Sequence, residues 1–539
     1  MQHQAKILII IFGLTALLYG QQNISTGDLI MALKDSTNWP PLILDRPDLP
    51  CSFSSEFFKI HYDTAGDYPV YYPDEDVDPV DGTPDYINRM AEYLELAHYK
   101  YIILLGYDMP PPDEGIGGDN RYDIYVSSIT GLTAPEFQSD YYPDRQAYAS
   151  YIHIGNDLRN EFHPDDPLPF LKATCAHEYF HAVQMAYRAF TGDSTFWWYE
   201  LTANWAEERV FDDLNEVYYY LEDYYLKIDH SIYLTGGSHM YGAWVFAEFL
   251  SQRHGIDIIR QIFVKLINLD NSLVAIKTVL SEQEINFDYE FTLFTAWNYF
   301  TNSSYRPGFF EEGEHFPITV PLSVNHSTYP TGWVDTPRAI ENLGIGYMHF
   351  ENTVVNKSNL VIEFNADQDY PEELALIAIY NEQPIEISTY RLEPGQEIVM
   401  QVEDFNECEG VVLSINWPYQ GYAIIDSAHY RYNAYIDSIP SGFTSNKPPR
   451  PDEFKLYGNY PNPFNLSCNI IFYWNSGPIN YKINIYNISG RIVDRLDGLT
   501  ERGVNSVNWV PENGIASGFY YYRLLIGEHQ ANAKMLFLK

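Results

Sequence analysis

Thr174-Cys-Ala-His177-Glu178-Tyr-Phe-His181-Ala-Val183 is the stretch on which the reading of this chain turns. Two histidines stand four residues apart, with a glutamate directly after the first. On an α-helix, positions i and i+4 stack on one face with Cβ atoms about 5–6 Å apart, so both imidazoles can reach one ion. Zinc takes neutral imidazole and carboxylate in a four-coordinate site that leaves one position for water. Glu178 then lies within reach of that water, as general base and later as proton carrier to a leaving amine. The run contains no proline, and outside the motif its only titratable residues are Cys175 and Tyr179. A solvated helix face would show Lys or Asp here, so the run does not read as a polar surface helix.

Working outward, the helical pattern extends from Leu171 to about Arg188, with Asp165, Asp166 and Pro167 before it and Gly192 after it. A second helix starts near Phe196 and runs past Glu208. It supplies a third ligand, Glu200, with eighteen residues between it and His181. That is enough chain to finish one helix, turn, and return another against the site. Glu207 and Glu208, two helical turns further on, compete for the role. Asn204, at i+4 from Glu200, reads either as acceptor for the second imidazole hydrogen of a ligand histidine or as a surface amide.

This arrangement resembles the gluzincin clan of zinc metallopeptidases. The resemblance implies His177, His181 and Glu200 as zinc ligands and Glu178 as the base. The chain keeps the Glu and Ala of the clan's frequent Glu-Gly-x-Ala but has Leu201 in place of the glycine. Such enzymes also use a Tyr or His from a later helix to steady the oxyanion. Within Gly236-Gly-Ser-His239-Met-Tyr241-Gly-Ala-Trp244, Tyr241 before Gly242 resembles that position, with His239 as the alternative. Phe57-Phe-Lys-Ile-His-Tyr62, Gly82-Thr-Pro-Asp-Tyr86 and Arg121-Tyr-Asp-Ile-Tyr125 extend the likeness to large secreted bacterial metalloproteases over roughly residues 50 to 300.

Composition sets the compartment. The chain has 539 residues, a length for about three to four domains. It carries 73 acids against 32 bases, a net charge of −41, which argues against nucleic acid or anionic membrane as a bulk-charge partner. Residues 1–20 read as a secretory signal: Lys6 is followed by a mostly apolar run of about 13 residues, too short for a comfortable membrane span. Nothing else in the sequence has the length and apolarity to cross a bilayer. The four cysteines, at 51, 175, 408 and 468, are too scattered for a disulfide scaffold. Cys51 with Cys175 is one pairing; free core thiols are the other reading. Asp74, Asp76, Asp78, Asp81 and Asp85 form an acidic loop with Gly82 at its turn, which suits calcium or else a solvated loop.

The expected architecture is multidomain α+β. Residues 21–50 are a lead-in or short pro-segment. Residues 51–305 are a zincin-like metallopeptidase domain, α-rich with a small sheet. Its elements include strands at 57–62, 119–126 and 148–154 and a helix over 87–105 with Met90, Leu94, Ala97 and Tyr101 on one side. Helices also fall near 242–253 and 256–267. In residues 306–440 short apolar runs broken by Pro, Gly, Asn and Asp suggest a β-sandwich by their spacing and turns, 441–453 are a Pro-rich linker, and 454–539 are small and β-rich.

The final segment carries a second resemblance. Leu456-Tyr-Gly-Asn-Tyr-Pro-Asn-Pro-Phe-Asn465, Ile485-Tyr-Asn-Ile-Ser-Gly-Arg491, Val507-Asn-Trp509, Ala516-Ser-Gly-Phe-Tyr-Tyr-Tyr-Arg523 and Lys534-Met-Leu-Phe-Leu-Lys539 look like the C-terminal sorting domain of type IX secretion cargo. That implies an immunoglobulin-like sandwich, a Gram-negative bacterium, and passage through the periplasm to the cell surface or medium. The expectation is therefore a monomeric secreted zinc endopeptidase acting on proteins, with the type IX machinery as partner. The rival is a surface adhesion or binding protein with a structural or inactive zinc site. A glycan-acting enzyme would want paired catalytic carboxylates, and nothing points there.

Overall fold

The computed structural model describes residues 46–538, except 190–192, 236, 382–384, 419–426, 439–453, 461, 463, 465–466, 475, 488–490, 501–502, 512–514 and 528. The signal segment, the lead-in up to residue 45 and the 441–453 linker lie outside the described residues. The chain divides into two compact units, the first made of residues up to Tyr224, Tyr233–Ala247 and Ile259–Glu284, the second of the remainder.

The first unit has a five-stranded sheet of β1 (Cys51–Ser54), β2 (Phe58–Tyr62), β3 (Tyr122–Ser127), β4 (Gly131–Gln138) and β5 (Tyr148–Gly155), in spatial order β1-β2-β3-β5-β4. The pairs β2/β3 and β3/β5 are parallel, while β1 and β4 run antiparallel at the two edges. Helix α1 (Asp85–His98) lies in the β2-to-β3 crossover, since parallel neighbours need a long connection. Helices α2 (Leu168–Tyr187) and α3 (Asp193–Val210) follow the sheet. From Ala173 to Tyr187 every residue of α2 is buried except half-buried His177. That burial is why the motif run lacks lysine and aspartate: a charge without a partner would be costly on any of its faces.

The helix expected over 87–105 is α-helical only to His98. A π-helical stretch, Tyr99–Leu104, continues it. The apolar side holds: Met90, Leu94, Ala97 and Tyr101 are all buried. Tyr101 Oη donates to the carbonyls of Ala176 on α2 and Ala206 on α3, both at 3.1 Å. One phenol thus ties together the two helices that bear the motif residues. Arg46 is part of the sheet's outer layer, although the sequence places it in the lead-in. Its guanidinium pairs with Asp113, Asp123 and Glu136 and lies over the Tyr151 ring. All four cysteines are unpaired, Cys175 fully buried in α2.

In the second unit, helix Phe287–Tyr299 departs from the expected boundary at 305. It packs on a sandwich sheet: Tyr347 Oη donates to Thr295 O at 2.7 Å, and Thr295 Oγ1 meets Ser414 Oγ at 2.6 Å. The sandwich has a four-stranded sheet containing Ser358–Asn365 and Arg431–Ser438, and a five-stranded sheet containing Glu372–Tyr380 and Cys408–Asn416. Leu360, Ile362, Phe364, Leu376, Leu413 and Trp417 fill its core. The C-terminal segment forms a three-stranded and a four-stranded sheet around Ile470, Phe472, Ile483, Trp509 and Leu524. No helix among the described residues is long and apolar enough to cross a membrane.

Tyr101→Phe removes two buried hydrogen bonds whose acceptors also serve their own helices. It is expected to cost about 1–2 kcal/mol of unfolding free energy with unchanged far-UV circular dichroism. Urea denaturation reads this; an unchanged midpoint would mean the phenol does not tie α2 to α3.

Candidate metal centre

Helix α2 presents His177 and His181 on one side, and α3 presents Glu200 toward them. His177 Nε2 and His181 Nε2 are 3.0 Å apart, and Glu200 Oε2 lies 3.5 Å from the first and 3.7 Å from the second. These three are the group among the described residues whose ligand atoms all lie within 4.8 Å of one another. Four ligands at about 2.0–2.1 Å in a tetrahedron stand roughly 3.3–3.4 Å from each other, which is close to the observed spacing. Glu200 is fully buried, and neither of its carboxylate oxygens receives a hydrogen bond. A carboxylate in that state calls for a cation or a protonated imidazole beside it.

The far nitrogens are fixed. His177 Nδ1 is 2.7 Å from Glu207 Oε1, and His181 Nδ1 is 2.8 Å from Gln184 Oε1. Gln184 in turn donates to Tyr199 O at 2.9 Å and Thr202 Oγ1 at 3.1 Å on α3. Each Nδ1–H therefore has an acceptor, and both Nε2 atoms face Glu200. This corrects two expectations. Glu207 is a partner of a candidate ligand histidine rather than a competing ligand. Asn204 is neither of the things expected: Glu207 and Gln184 already take both imidazole Nδ1 atoms, and Asn204 is buried, its amide donating to Tyr241 O at 3.0 Å. Sequence reasoning missed Gln184, though it stands one turn past His181, where such a partner is reachable.

Glu178 is buried beside the centre. Thr133 Oγ1, on β4, lies 2.8 Å from Glu178 Oε2 and 2.7 Å from its carbonyl. Gly131 on the same strand is needed for close approach: a Cβ there would lie 2.7 Å from Glu178 Oε1 and 2.9 Å from Thr174 Cγ2. Of the two oxyanion candidates, Tyr241 is beside the centre, its ring 6.2 Å from that of His177. His239 is fully buried against Tyr224, with ring centroids 5.0 Å apart. Tyr220, which the sequence did not mark, has its ring 5.2 Å from Tyr241's. Gly242 allows this contact, since a Cβ there would lie 2.3 Å from Tyr220 O.

Charge is strongly coupled at the centre. Burial opposes a proton on His177, but the carboxylates of Glu200 and Glu207 outweigh it and hold its pKa well above the ordinary value. Burial likewise opposes charge on Glu200, yet the His181 charge and the close approach of both rings bring its pKa to about 2. Glu207 is pushed up by burial, partly offset by His177.

The acidic loop behaves differently. Asp76 accepts the N–H groups of Asp81 and Gly82, Asp85 those of Val77 and Asp78, and Asp81 that of Thr83. Asp78 pairs with Arg89. These carboxylates cap their own turn, and among the described residues no three of Asp74, Asp76, Asp78, Asp81 and Asp85 converge as a ligand set.

Residues 169–299, which span every residue of the centre from His177 to Tyr241, match a family of unknown function (DUF6055). Residues 459–537 match the secretion system C-terminal sorting domain, so the protein is exported by the type IX route to the medium or outer surface. No curated protein sequence matches the chain. A β-galacturonidase from Eisenbergiella tayi is 12% identical over 36% of this chain and 35% of its own, at a TM-score of 0.16. Dimeric latent PorU from Porphyromonas gingivalis is 18% identical over 35% of this chain and 19% of its own, also at 0.16. Tripeptidyl peptidase 2 is 7% identical over 41% and 31%, at 0.19. The chain thus spans well under two thirds of each, and likenesses this slight fix neither fold nor chemistry.

In the metal-free protein the two pKa shifts have opposite pH windows. The raised His177 contributes stability that is full below its ordinary 6.5 and is lost as pH rises through the folded value. The depressed Glu200 contributes above its ordinary 4.5 and loses it as pH falls toward about 2. A divalent cation entering the centre is expected to displace the His177 proton, about one per ion at neutral pH. Calorimetric titration in two buffers of different ionisation enthalpy counts it; a count of zero would contradict a protonated His177.

Proposed function

We propose that this exported protein is a zinc-dependent peptidase that hydrolyses peptide bonds of proteins. The observation that carries the reading is the convergence of His177, His181 and Glu200 in a buried centre, with Glu178 next to it on the same helix. Two imidazole nitrogens and one carboxylate oxygen are the donor set that zinc takes when a position is kept for water. Bound zinc would supply Lewis acidity and a water of lowered pKa.

The chain's own residues do the rest. Glu207 and Gln184 hold the histidines in the tautomer that offers Nε2. Glu178, held by Thr133, takes a proton from the attacking water and delivers it to the leaving nitrogen. Tyr241 donates to the oxygen on which charge develops. β4 forms one edge of the sheet and passes the centre at Gly131 and Thr133, so an extended peptide adding to that edge would cross it. That edge is what favours a peptide substrate over a small molecule.

Zinc content and casein hydrolysis, measured on the full chain and its Glu178→Gln variant, test the reading. Both proteins are expected to carry one zinc, with hydrolysis by the variant reduced roughly 10²–10⁴-fold. Zinc in both and hydrolysis by neither, across several protein substrates, would sink the peptidase reading in favour of a binding protein. A separate variant, Gly131→Ala, is expected to retain zinc but lose at least about tenfold in rate, because the added methyl displaces Glu178. Unchanged rates there would show that the Gly131 contact does not position the base.

A further inference from the structure

A second acidic pair lies within the sandwich and has no part in the zinc reading. Asp367 is in the loop that carries the chain out of strand Ser358–Asn365, and Glu372 opens strand Glu372–Tyr380. Asp367 is 5% exposed and Glu372 0%. The Asp367 N–H donates to Glu372 Oε2 at 3.2 Å, which brings Glu372 against the Asp367 turn, close enough for the Asp367 charge to act on it. Asp367 Oδ1 receives the N–H groups of Asp369 (2.7 Å) and Tyr370 (3.2 Å), and its Oδ2 that of His429. Glu372 Oε1 is buried and receives no hydrogen bond. No basic side chain among the described residues offsets Glu372: burial and the neighbouring Asp367 charge both push its pKa up, to about 8, against the one backbone N–H that lowers it.

The neighbouring acid makes the contrast. Glu373 is also largely buried but pairs with Arg391 at 3.0 Å. Glu372 has the burial without the cation. A carboxyl buried beside a second acid either keeps its proton or takes a positive partner, and the orphan Oε1 is the atom left open to one.

We propose that Asp367 and Glu372 hold a calcium ion that fastens this end of the sandwich. Both donors are hard carboxylate oxygens, the kind calcium takes, with loop carbonyls and water completing the shell. The protein is exported to the outside or outer surface, where modules binding calcium at about 10⁻⁴–10⁻³ M are useful. The competing compensation is a proton shared by the two carboxyl groups, and the experiment separates the two.

The probe is calcium itself, titrated into the zinc-loaded full chain at pH 7.5 and followed by thermal unfolding. Terbium is the second probe, because the Tyr370 and Trp417 rings, 4.5 Å apart, stand next to the loop as sensitisers. Millimolar calcium is expected to raise the sandwich's unfolding temperature and to displace one sensitised terbium. Glu372→Gln is expected to weaken both effects at least about tenfold, with zinc content unchanged. Asp367→Asn, which keeps an acceptor for the loop N–H groups, is the second variant should the first not fold. A wild-type chain indifferent to calcium would overturn the proposal, as would equal responses in wild type and variants. A Gln variant more stable than wild type, with calcium inert in both, would assign the shared proton instead.

Discussion

A buried carboxylate with neither oxygen hydrogen-bonded, set against two imidazoles, is the constraint that arranges the first unit. Glu200 is tolerable only with positive charge beside it, which a protonated His177 or a bound cation supplies, so the two rings have to be held against it. That requirement explains the surroundings. Helix α2 is buried on nearly every side because it delivers both rings from one face. Gln184 and Glu207 fix the rings from behind, and Gln184 also reaches across to α3. Tyr101 grips a carbonyl on each helix, so the angle between them is set by a residue that touches neither histidine.

How far the centre is legible in the sequence depends on distance along the chain. The two histidines and Glu178 are readable because four residues of helix bring them together. Glu200 is readable because the chain between the helices is only long enough to turn back. Gln184 stands a single turn away yet escapes notice, because a glutamine carries no charge to mark it. Glu207 is visible as a residue that can reach the centre, but spacing does not tell which atom it meets there, so a ligand and a ligand's partner look alike. Thr133 and Gly131 come from a strand and Tyr101 from the π-helical end of α1, all 30 or more residues upstream, and no local pattern points to them. Asn204 misleads for the opposite reason, a local offset that suits one partner while tertiary packing offers another.

The two acidic clusters differ in burial, which composition does not reveal. The loop from Asp74 to Asp85 has the density of aspartates that suggests calcium, and three of them, Asp76, Asp81 and Asp85, accept the N–H groups of their own turn. The pair Asp367 and Glu372 is inconspicuous in sequence, and only burial shows that one oxygen lacks a partner. Short apolar runs bounded by turn residues make the sandwich strands readable in the same region. The helix Phe287–Tyr299 does not announce itself as a companion of that sandwich, because apolar side chains do not name the surface they will cover.

Arg46 has a consequence for the order in which the first unit assembles. Its partners lie 67, 77 and 90 residues further along the chain. Closing loops of that length is entropically slow, and none of the contacts rewards the chain until its far end is in place. As the chain emerges from its N-terminus, the guanidinium is present long before Glu136 exists to receive it. Asp123 and Glu136 on the sheet and Asp113 from the loop before β3 are like charges that the guanidinium offsets. The Arg46 contacts therefore reward a sheet whose β3 and β4 already present Asp123 and Glu136, and they reinforce its pairing rather than start it.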